Sequence, residues 1–243
     1  MQLFFRTDVG LVRETNQDAC KLGKISDTEA WAAVCDGMGG ANGGSVASSE
    51  AVEEIGRYIE QEYHSDMTED DLAEMVELAV DSANTKVFEM ACENPELEGM
   101  GTTVELAFVK DEKVFVVHAG DSRVYLAQGD TIVQVTHDHS LVQQMVDIGE
   151  ITPEEARVHP RRNFITRALG IDPELWTDIL EKPFTKGSTL VLCSDGLTNY
   201  IEEDELLQVI KDTESDKLAD TLVNIALERG GGDNVTVAVV VND

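Results

Sequence analysis

Four aspartates in this sequence stand where a run of apolar residues meets a glycine, serine or asparagine. They are Asp36 before Gly37, Asp121 before Ser122, Asp195 before Gly196, and Asp233 before Asn234. A carboxylate held at a strand end, beside a small residue that lets a ligand approach, is a candidate ligand for a hard divalent cation. Taken singly, each such aspartate is more often a turn residue. As an ordered set, the four predict a metal-dependent hydrolase site.

The ligand chemistry of these segments favours particular metals and a particular substrate. Carboxylate oxygens suit magnesium or manganese better than zinc. Two such ions about 3.5–4 Å apart lower the proton affinity of a water between them and neutralise phosphoryl oxygens. We therefore expect two core ions, Mn²⁺ or Mg²⁺, and a phosphate ester as the substrate.

Arg13 is the candidate for the fixed cation that a phosphate site needs. The guanidinium fork matches two phosphoryl oxygens at once. Arg13 lies among small and polar residues, shortly after a predicted strand at residues 3–7, and has no evident apolar partner there. The sequence therefore predicts that Arg13 binds the substrate phosphate.

The charge of the chain excludes two classes of partner. Its 243 residues include 48 acidic and 18 basic side chains, giving a formal net charge of −30 at pH 7. Nucleic acids and anionic membrane surfaces are bound by basic patches, so we expect neither as a partner. A salt-adapted host and an ordinary solvated surface both explain the excess of acidic residues.

Cysteine usage and hydropathy indicate the compartment. The four cysteines form no C-x-x-C pair, and Cys35 and Cys193 lie within apolar runs. Such thiols are typical of reduced, buried residues in a cytosolic protein. We recognise no secretory leader and no apolar run of the roughly 20 residues that a membrane-spanning helix requires. The expectation is a cytoplasmic protein, and a monomer.

The elements that must position these residues are short strands and amphipathic helices. Strands are predicted at residues 3–7, 31–35, 103–110, 114–119, 123–127, 131–135, 189–193 and 235–241. Helices are predicted at residues 45–61, 72–87 with Thr68 as N-cap, 204–210 and 216–228. Hairpin-joined strands segregated from helices predict an α+β fold. The leading architecture is a four-layer α/β/β/α sandwich with two antiparallel sheets, formed by a single catalytic domain over residues 1–243.

Residues 137–165, which we call the flap segment, have a different composition. They contain His137-Asp138-His139-Ser140, a short helix signal at 141–146, a capping box that begins at Thr152, and His159-Pro160-Arg161-Arg162. A polar segment of this kind is typical of a surface excursion that borders a functional site. The spacing of His137 and His139 suggests a metal ligand pair, but no third ligand is near, so we interpret both as structural.

The segments described so far resemble, in order, those of the metal-dependent serine/threonine protein phosphatases of the 2C type in their compact bacterial form. The matching segments are Asp8-Val9-Gly10, Arg13, Asn16-Gln17-Asp18, Cys35-Asp36-Gly37-Met38-Gly39-Gly40, Gly101-Thr102-Thr103, His118-Ala119-Gly120-Asp121-Ser122-Arg123, Asp138-His139-Ser140, His159-Pro160-Arg161-Arg162-Asn163, Arg167-Ala168-Leu169-Gly170, Ser194-Asp195-Gly196-Leu197 and Gly232-Asp233-Asn234. Each is weak alone, but the ordered set is specific. The implied fold is the same sandwich, with residues 137–165 as a flap beside the active site.

The resemblance also implies a set of metal ligands. Asp36 would bridge the two core ions, and the carbonyl of Gly37 would bind one of them. Asp195 and Asp233 would complete the other. Asp121, together with Asp195, would hold a third and weaker ion.

The catalytic residues implied by the resemblance are Arg13, Asp18 and Asp36. Arg13 would bind the substrate phosphate, and Asp18 would act through metal-bound water. A metal-bridging hydroxide would attack phosphorus in line, without a phosphoenzyme. The implied substrates are proteins that carry phosphoserine or phosphothreonine, and the implied partner is a bacterial serine/threonine kinase that the enzyme opposes.

Three departures from the pattern bear on this assignment. Met38 stands where the eukaryotic branch has a histidine proposed as general acid, so the proton donor would be a metal-bound water. Gln17 replaces a glutamate found in many relatives and is expected to loosen the outer shell of one metal. Ala41 and Ser45 replace a histidine and a glutamate that are frequent in bacterial relatives.

Two other functions remain open from the sequence. A catalytically weak regulatory or binding module of the same fold would dock on a kinase or regulator. Loss of a core aspartate would favour it, and none is lost. A phosphatase dedicated to one regulatory partner would be favoured by an additional sensory domain, for which we expect no room.

Overall fold

Two antiparallel sheets lie at the centre of the protein, with the most apolar strands inside each sheet and the polar strands at the edges. The first sheet has the order β1 (Gln2–Asp8), β11 (Val235–Val241), β10 (Ser188–Cys193), β7 (Arg123–Gln128) and β8 (Thr131–Gln134). The second has the order β2 (Asp18–Lys24), β3 (Glu29–Met38), β5 (Val104–Lys110), β6 (Lys113–Ala119) and β9 (Asp178–Pro183), and β4 (Gly101–Thr102) pairs with the end of β3. The structure is a computed structural model that describes residues 1–243 apart from the side chains of residues 40–42. The departure noted at Ala41 therefore lies outside the described residues.

Helices cover the outer faces of both sheets. They are α1 (Gly40–Glu62), α2 (Glu69–Glu93), α3 (Leu141–Asp147), α4 (Pro153–Arg157), α5 (Asp195–Thr198), α6 (Glu203–Asp212) and α7 (Ser215–Glu228), with a 3₁₀ turn at Pro95–Leu97. The first two pack on the second sheet, and the last two pack on the first sheet. This arrangement confirms the predicted α/β/β/α sandwich with two antiparallel sheets.

Three apolar layers hold the four structural layers together. One lies between α1, α2 and the second sheet, one between the two sheets, and one between the first sheet and α6 and α7. Large residues of the three layers, such as Phe108, Leu192 and Leu222, are fully buried. Burying each such side chain contributes about 1.5–3 kcal/mol relative to leaving it in water.

Alternation along the central strands decides what faces the space between the sheets. In β3, Ala30, Ala32 and Val34 lie between the sheets, and the intervening residues face the helices. In β10, Leu190 and Leu192 lie between the sheets. Residues 36 and 194 continue these two series just where the strands end. The inter-sheet layer therefore opens into polar residues at one end of the sandwich.

Most of the predicted elements are present. The strands predicted at residues 123–127 and 131–135 form a hairpin, β7 and β8, with Gln128 paired to Thr131 across a two-residue turn. Thr68 is the N-cap of α2, and Thr152 is the N-cap of α4. Both form capping boxes. These signals are local, so they do not depend on the tertiary contacts that the sequence leaves unspecified.

The pattern misses β2 and β9, which are the two edge strands of the second sheet. Edge strands bury one side only, and both carry lysines, which natural proteins place at sheet edges. Their apolar alternation is therefore weak. The omission matters because Asp18 is the first residue of β2.

Candidate active site

Asp18 and Asp36 lie directly opposite each other on β2 and β3. Asp36 continues the series of residues that face the space between the sheets, and Asp18, as its cross-strand partner, faces the same side. Like charges directly opposite each other in an antiparallel pair destabilise a sheet. This pair therefore needs a proton or a cation nearby.

Three further aspartates reach the same place from other elements. Asp121 lies in the turn between β6 and β7, Asp195 begins α5 two positions after the last residue of β10, and Asp233 lies two positions before the first residue of β11. Together with Asp36, they line one pocket of about 720 Å³, which we call the aspartate pocket. Its other lining residues are Arg13, Glu14, Thr15, Gln17, Gly37, Met38, Gly39, Thr103, Asn163, Ile165 and Asn234. The fold thus brings together the four aspartates singled out from the sequence.

Burial, together with crowding of the carboxylates, raises the pKa values of Asp18, Asp36, Asp121 and Asp195. Burial, followed by the charges of neighbouring aspartates, raises the pKa of Asp36 well above its usual range. Burial and neighbouring carboxylates also raise the pKa of Asp18 to about 7, that of Asp121 to about 8 and that of Asp195 to about 6. Divalent cations would relieve this repulsion between buried acids.

The carboxylate of Asp18 has one oxygen that the protein leaves without a partner. Its Oδ2 accepts a hydrogen bond from the hydroxyl of Ser194 at 2.7 Å, whereas its buried Oδ1 has no hydrogen-bond partner among the described residues. Buried polar atoms in native structures are nearly always satisfied by protein, water or an ion. The residue that carries this oxygen lies opposite Asp36 across the paired strands, so a hydrated cation fits the chemistry of the site.

Carboxylates that line an open pocket can hold an ion that keeps part of its water shell. Within the described part of the chain, no three acidic, histidine or cysteine side chains converge tightly enough to enclose an ion unaided. Magnesium-like ions are commonly held by one or two carboxylates and several waters. The open aspartate pocket fits such an ion better than a fully enclosed zinc site would.

Arg13 reaches the aspartate pocket and is paired with Asp233. Its Nη2 donates to Oδ2 of Asp233 at 2.7 Å, and half of the arginine side chain is exposed. The hydrogen bond and the charge of Asp233 raise the pKa of Arg13. The guanidinium is therefore a fixed positive charge on an otherwise acidic rim, where a phosphate would enter.

Asn234 fastens the loop that carries Arg13. Its Nδ2 donates to the carbonyls of Val9 at 2.9 Å and Thr15 at 3.0 Å, and its Oδ1 accepts from the amide of Gln17 at 2.8 Å. Asn234 is buried. One side chain thus attaches both ends of the loop to the start of β11, a role that the sequence pattern does not predict.

Gly37 occupies a position that tolerates no side chain. A Cβ there would lie 2.0 Å from the carbonyl oxygen of Gly44 and 2.6 Å from that of Gln17. The amide of Gly37 donates to the same Gln17 carbonyl at 3.0 Å. Close packing on both sides holds Gly37 at the edge of the pocket beside Asp36. Its carbonyl as a metal ligand stays a prediction.

Two hydroxyl groups orient the aspartates, and the sequence pattern assigns neither a role. Thr103 Oγ1 accepts from the amide of Asp36 at 2.9 Å. Ser194 Oγ donates to Asp18 and accepts from the amide of Thr236 at 3.0 Å. Both residues lie within segments that carry the family resemblance, and that membership is the signal that points to them.

The flap segment borders the aspartate pocket. Asn163 and Ile165, near its end, line the pocket directly. A second pocket of about 300 Å³ separates α3 and α4 from Asp121 and Asp195. The segment therefore lies beside the acidic cluster, and Asn163 is a lining residue that the sequence does not single out.

The histidines at the base of the flap segment make structural contacts. His118 is fully buried and lies 2.8 Å from Glu105 and 2.9 Å from the carbonyl oxygen of His137. His139 accepts from the amide of Gly120 at 3.2 Å and stacks on His118 with ring centroids 4.4 Å apart. These contacts tie the start of the flap segment to the turn between β6 and β7.

Comparison with known proteins decides the family. The sequence profile described as Protein phosphatase 2C matches residues 12–228. The chain belongs to the protein phosphatase 2C family. Among its relatives, the serine/threonine phosphatase stp of Listeria innocua is 38% identical over 242 residues, which cover 99% of this chain and 95% of that protein.

Solved structures of the family share the fold. The serine/threonine phosphatase Stp1 from Staphylococcus aureus superposes with a TM-score of 0.92 at 34% identity, covering 100% of this chain and 95% of that chain. The catalytic domain of the serine/threonine protein phosphatase PstP, solved in complex with two manganese ions, superposes with a TM-score of 0.86 at 34% identity and covers 98% and 96%. These likenesses confirm the expected fold and the expected class of enzyme, a protein phosphatase. No helix among the described residues combines the length and apolarity needed to cross a membrane.

Replacing Asp36 by Asn is expected to raise the melting temperature of the metal-free protein and to remove its response to Mn²⁺. Because the cluster has raised pKa values in the folded state, the folded protein binds more protons than the unfolded chain. Stability of the metal-free protein therefore falls as the pH rises from about 4 toward the raised values near 7 and 8. The gain from Asp36→Asn is expected to be larger at pH 8 than at pH 5.

Thermal melts at both pH values, with chelator and with Mn²⁺, measure these two effects. Asp66→Asn, at an exposed position between α1 and α2, is the matched control and is expected to change neither. An Asp36→Asn protein that melts below the parent at pH 8 without metal, or that keeps a Mn²⁺-dependent rise, would contradict the account.

Replacing Asn234 by Ala is expected to lower the free energy of unfolding by about 1–3 kcal/mol, because two backbone carbonyls and one amide lose the buried side chain that they bond to. Urea denaturation measures the change. Asn224→Ala, at an exposed position on α7, is the control and is expected to lose less. Equal losses in the two variants would show that Asn234 does not fasten the loop.

Proposed function

We propose that this protein removes phosphate from phosphoserine and phosphothreonine in proteins, using two core divalent ions, Mn²⁺ or Mg²⁺, held in the aspartate pocket. The observation that carries the proposal is the convergence of four aspartates and one arginine, from distant parts of the chain, on a single pocket. Membership of the protein phosphatase 2C family supports the reaction class. The solved relative that contains two manganese ions supports the cofactor.

The family resemblance assigns the residues that would hold the ions, and all of them line the aspartate pocket. Asp36 and the carbonyl of Gly37 would hold one core ion, and Asp36, Asp195 and Asp233 would hold the other. Asp121 and Asp195 would hold a third. Bound divalent ions would lower the proton affinity of water in the pocket and neutralise the phosphoryl oxygens.

Asp18 differs from these ligands because it is buried behind them. Its hydrogen bond from Ser194 fixes one oxygen, and the other oxygen is free to accept from water. Its pKa of about 7 lets the carboxyl hold or release a proton near neutrality. We propose that Asp18 orients water through this free oxygen and accepts a proton from it.

Arg13 would exchange its partner when substrate binds. In the structure its guanidinium is paired with Asp233. A cation bound to Asp233 would weaken that pair, and a dianionic phosphate would offer two oxygens to the guanidinium fork. The side chain of Met38 carries no titratable proton, so the proton for the leaving serine or threonine oxygen would come from water in the pocket.

The wider context of the enzyme is also a proposal. The substrates would be phosphorylated proteins, with a bacterial serine/threonine kinase acting in opposition. The chain would work as a cytoplasmic monomer, formed by a single catalytic domain. The strongly acidic surface, with its net charge of −30, supports protein substrates over nucleic acids.

Purified protein is expected to release phosphate from phosphothreonine peptides when Mn²⁺ is present and to stop when a chelator is added. Asp36→Asn is expected to lose this activity, because it removes a carboxylate that would help to hold both core ions. Phosphate release, measured with a colorimetric assay, tests the proposal. A parent protein that is inactive with Mn²⁺, with Asp36→Asn indistinguishable from it, would favour a binding module of the same fold.

Arg13→Ala is expected to lower kcat/KM for phosphopeptides by about 10- to 100-fold, because charge-assisted hydrogen bonds to the phosphate are lost. Steady-state kinetics measure the change. Arg6→Ala is the control. Arg6 pairs with Asp220 of α7, and its replacement is expected to leave kcat/KM unchanged. Similar losses of kcat/KM in both variants would show that Arg13 does not bind the substrate phosphate.

A further inference from the structure

A second concavity adjoins the aspartate pocket. It measures about 250 Å³ and shares two of its lining residues, Met38 and Ile165, with that pocket. Its apolar walls are completed by Ile171, Leu175 and Trp176. We call this feature the Trp176 groove. Because the two share a wall, a peptide held at the aspartate pocket would reach the groove by crossing only Met38 and Ile165.

The groove exposes more apolar surface than a folded chain ordinarily leaves beside a polar site. Trp176 is 78% exposed and Ile171 is 41% exposed, whereas Trp31, the other tryptophan, is 2% exposed. Leu175 packs against the helix-side core and forms the base. Single exposed apolar residues are normal, but a contiguous set beside a reactive site is typical of a ligand groove.

Two carboxylates give the groove a negative charge. Asp172 and Glu174 are both exposed and both line it. The basic residue among its lining, Arg167, already pairs with Asp178 at 2.8 Å. An occupant that combines an apolar side chain with a positive charge would therefore complement the groove, and the exposed indole also offers a face to a cation.

The outer wall of the groove is held in place by a buried side chain. Asn84, on α2, accepts from the amide of Gly170 at 2.7 Å and donates to the carbonyls of Asp172 at 3.1 Å and Pro173 at 3.3 Å. Asn84 is 2% exposed. A groove preorganised in this way binds with a smaller loss of conformational freedom.

The same wall is connected to the floor of the aspartate pocket through hydrogen bonds. Leu169 exchanges two backbone hydrogen bonds with Thr102 of β4, at 2.9 and 3.0 Å. Thr102 in turn pairs with Gly37, and Gly101 pairs with Met38. The groove and the predicted metal site therefore share one short piece of sheet.

We infer that the Trp176 groove binds the substrate residues next to the phosphorylated one, and that it selects an apolar side chain accompanied by lysine or arginine. This inference rests on the proposed function, since it names the sequence context of the same substrates. The occupant is a segment of the phosphoprotein itself. The preference falls on one side of the phosphothreonine only, because the groove adjoins the aspartate pocket at one wall, formed by Met38 and Ile165.

Kinetics with paired peptides test the inference. Phosphothreonine peptides carry Leu and Lys, or Ala and Glu, at positions scanned on each side of the phosphothreonine, and p-nitrophenyl phosphate reports the reaction without a peptide. The Leu and Lys peptide is expected to have about tenfold higher kcat/KM on one side, mainly through KM. Trp176→Ala, and the double variant Asp172→Asn with Glu174→Gln, are expected to lose most of that difference and to keep the parent rate on p-nitrophenyl phosphate.

Val133→Ala is the matched control. Val133 is 48% exposed on β8 of the first sheet. Its replacement is expected to leave both the peptide preference and the rate on p-nitrophenyl phosphate unchanged. Tryptophan fluorescence gives a readout that does not depend on turnover. A non-hydrolysable phosphonate analogue of the preferred peptide is expected to shift the emission of the parent, and Trp176→Phe is expected to remove that shift, since Trp31 is buried.

Three results would overturn the inference. One is hydrolysis of all the peptides with the same kcat/KM, whatever residues flank the phosphothreonine. Another is a Trp176→Ala protein that is slowed equally on peptides and on p-nitrophenyl phosphate, which would indicate a general structural loss. The third is hydrolysis of no peptide at all, which would overturn the proposed function together with the groove, whereas the first two leave the proposed function intact.

Discussion

Repulsion between buried carboxylates is the constraint on which the rest of the structure depends. Asp36 lies opposite Asp18 across two paired strands, and three more aspartates surround the opening beside them. Left alone, such a group either takes up protons or strains the fold. Cations relieve the repulsion. The cluster of buried carboxylates that destabilises the metal-free protein would therefore also form its reaction centre. The raised pKa of Asp18 and its carboxylate oxygen without a hydrogen-bond partner are both signs of this unrelieved repulsion.

The surrounding scaffold prevents the aspartates from moving apart to reduce their repulsion. Side-chain alternation in β3 and β10 directs residues 36 and 194 into the space between the sheets. A change of register would exchange the residues that face the helices with those that lie between the sheets, and the apolar layers on both faces oppose it. Hydroxyls of Thr103 and Ser194 fix the backbone and side chains of the acids. Asn234 fixes the loop that carries Arg13, which lines the aspartate pocket. Polar residues that touch no substrate thus determine where the reactive ones lie.

Much of this arrangement is predictable from the sequence, for reasons that differ between elements. Buried strands and amphipathic helices carry strong periodicity, so the sandwich follows from pattern. The strands β2 and β9 do not, because an edge strand buries one side only and its alternation is diluted by lysine. The four aspartates can be recognised in the sequence because each stands at one end of an apolar run. The pairing of Arg13 with Asp233, and the hydrogen bonds of Asn234, depend on contacts between residues about 220 positions apart, which no local pattern records. The family resemblance supplied the roles, and the fold supplies the contacts through which those roles would act.

The central claim is that the acidic cluster is partly protonated near neutral pH and exchanges those protons for divalent ions. Calorimetric titration with Mn²⁺ in two buffers of different ionisation enthalpy measures the protons released on binding. Since the pKa values of Asp195, Asp18 and Asp121 are raised to about 6, 7 and 8, the account predicts clear proton release at pH 6.5 and much less at pH 9. Binding that releases no protons at pH 6.5, or as many at pH 9 as at pH 6.5, would contradict it.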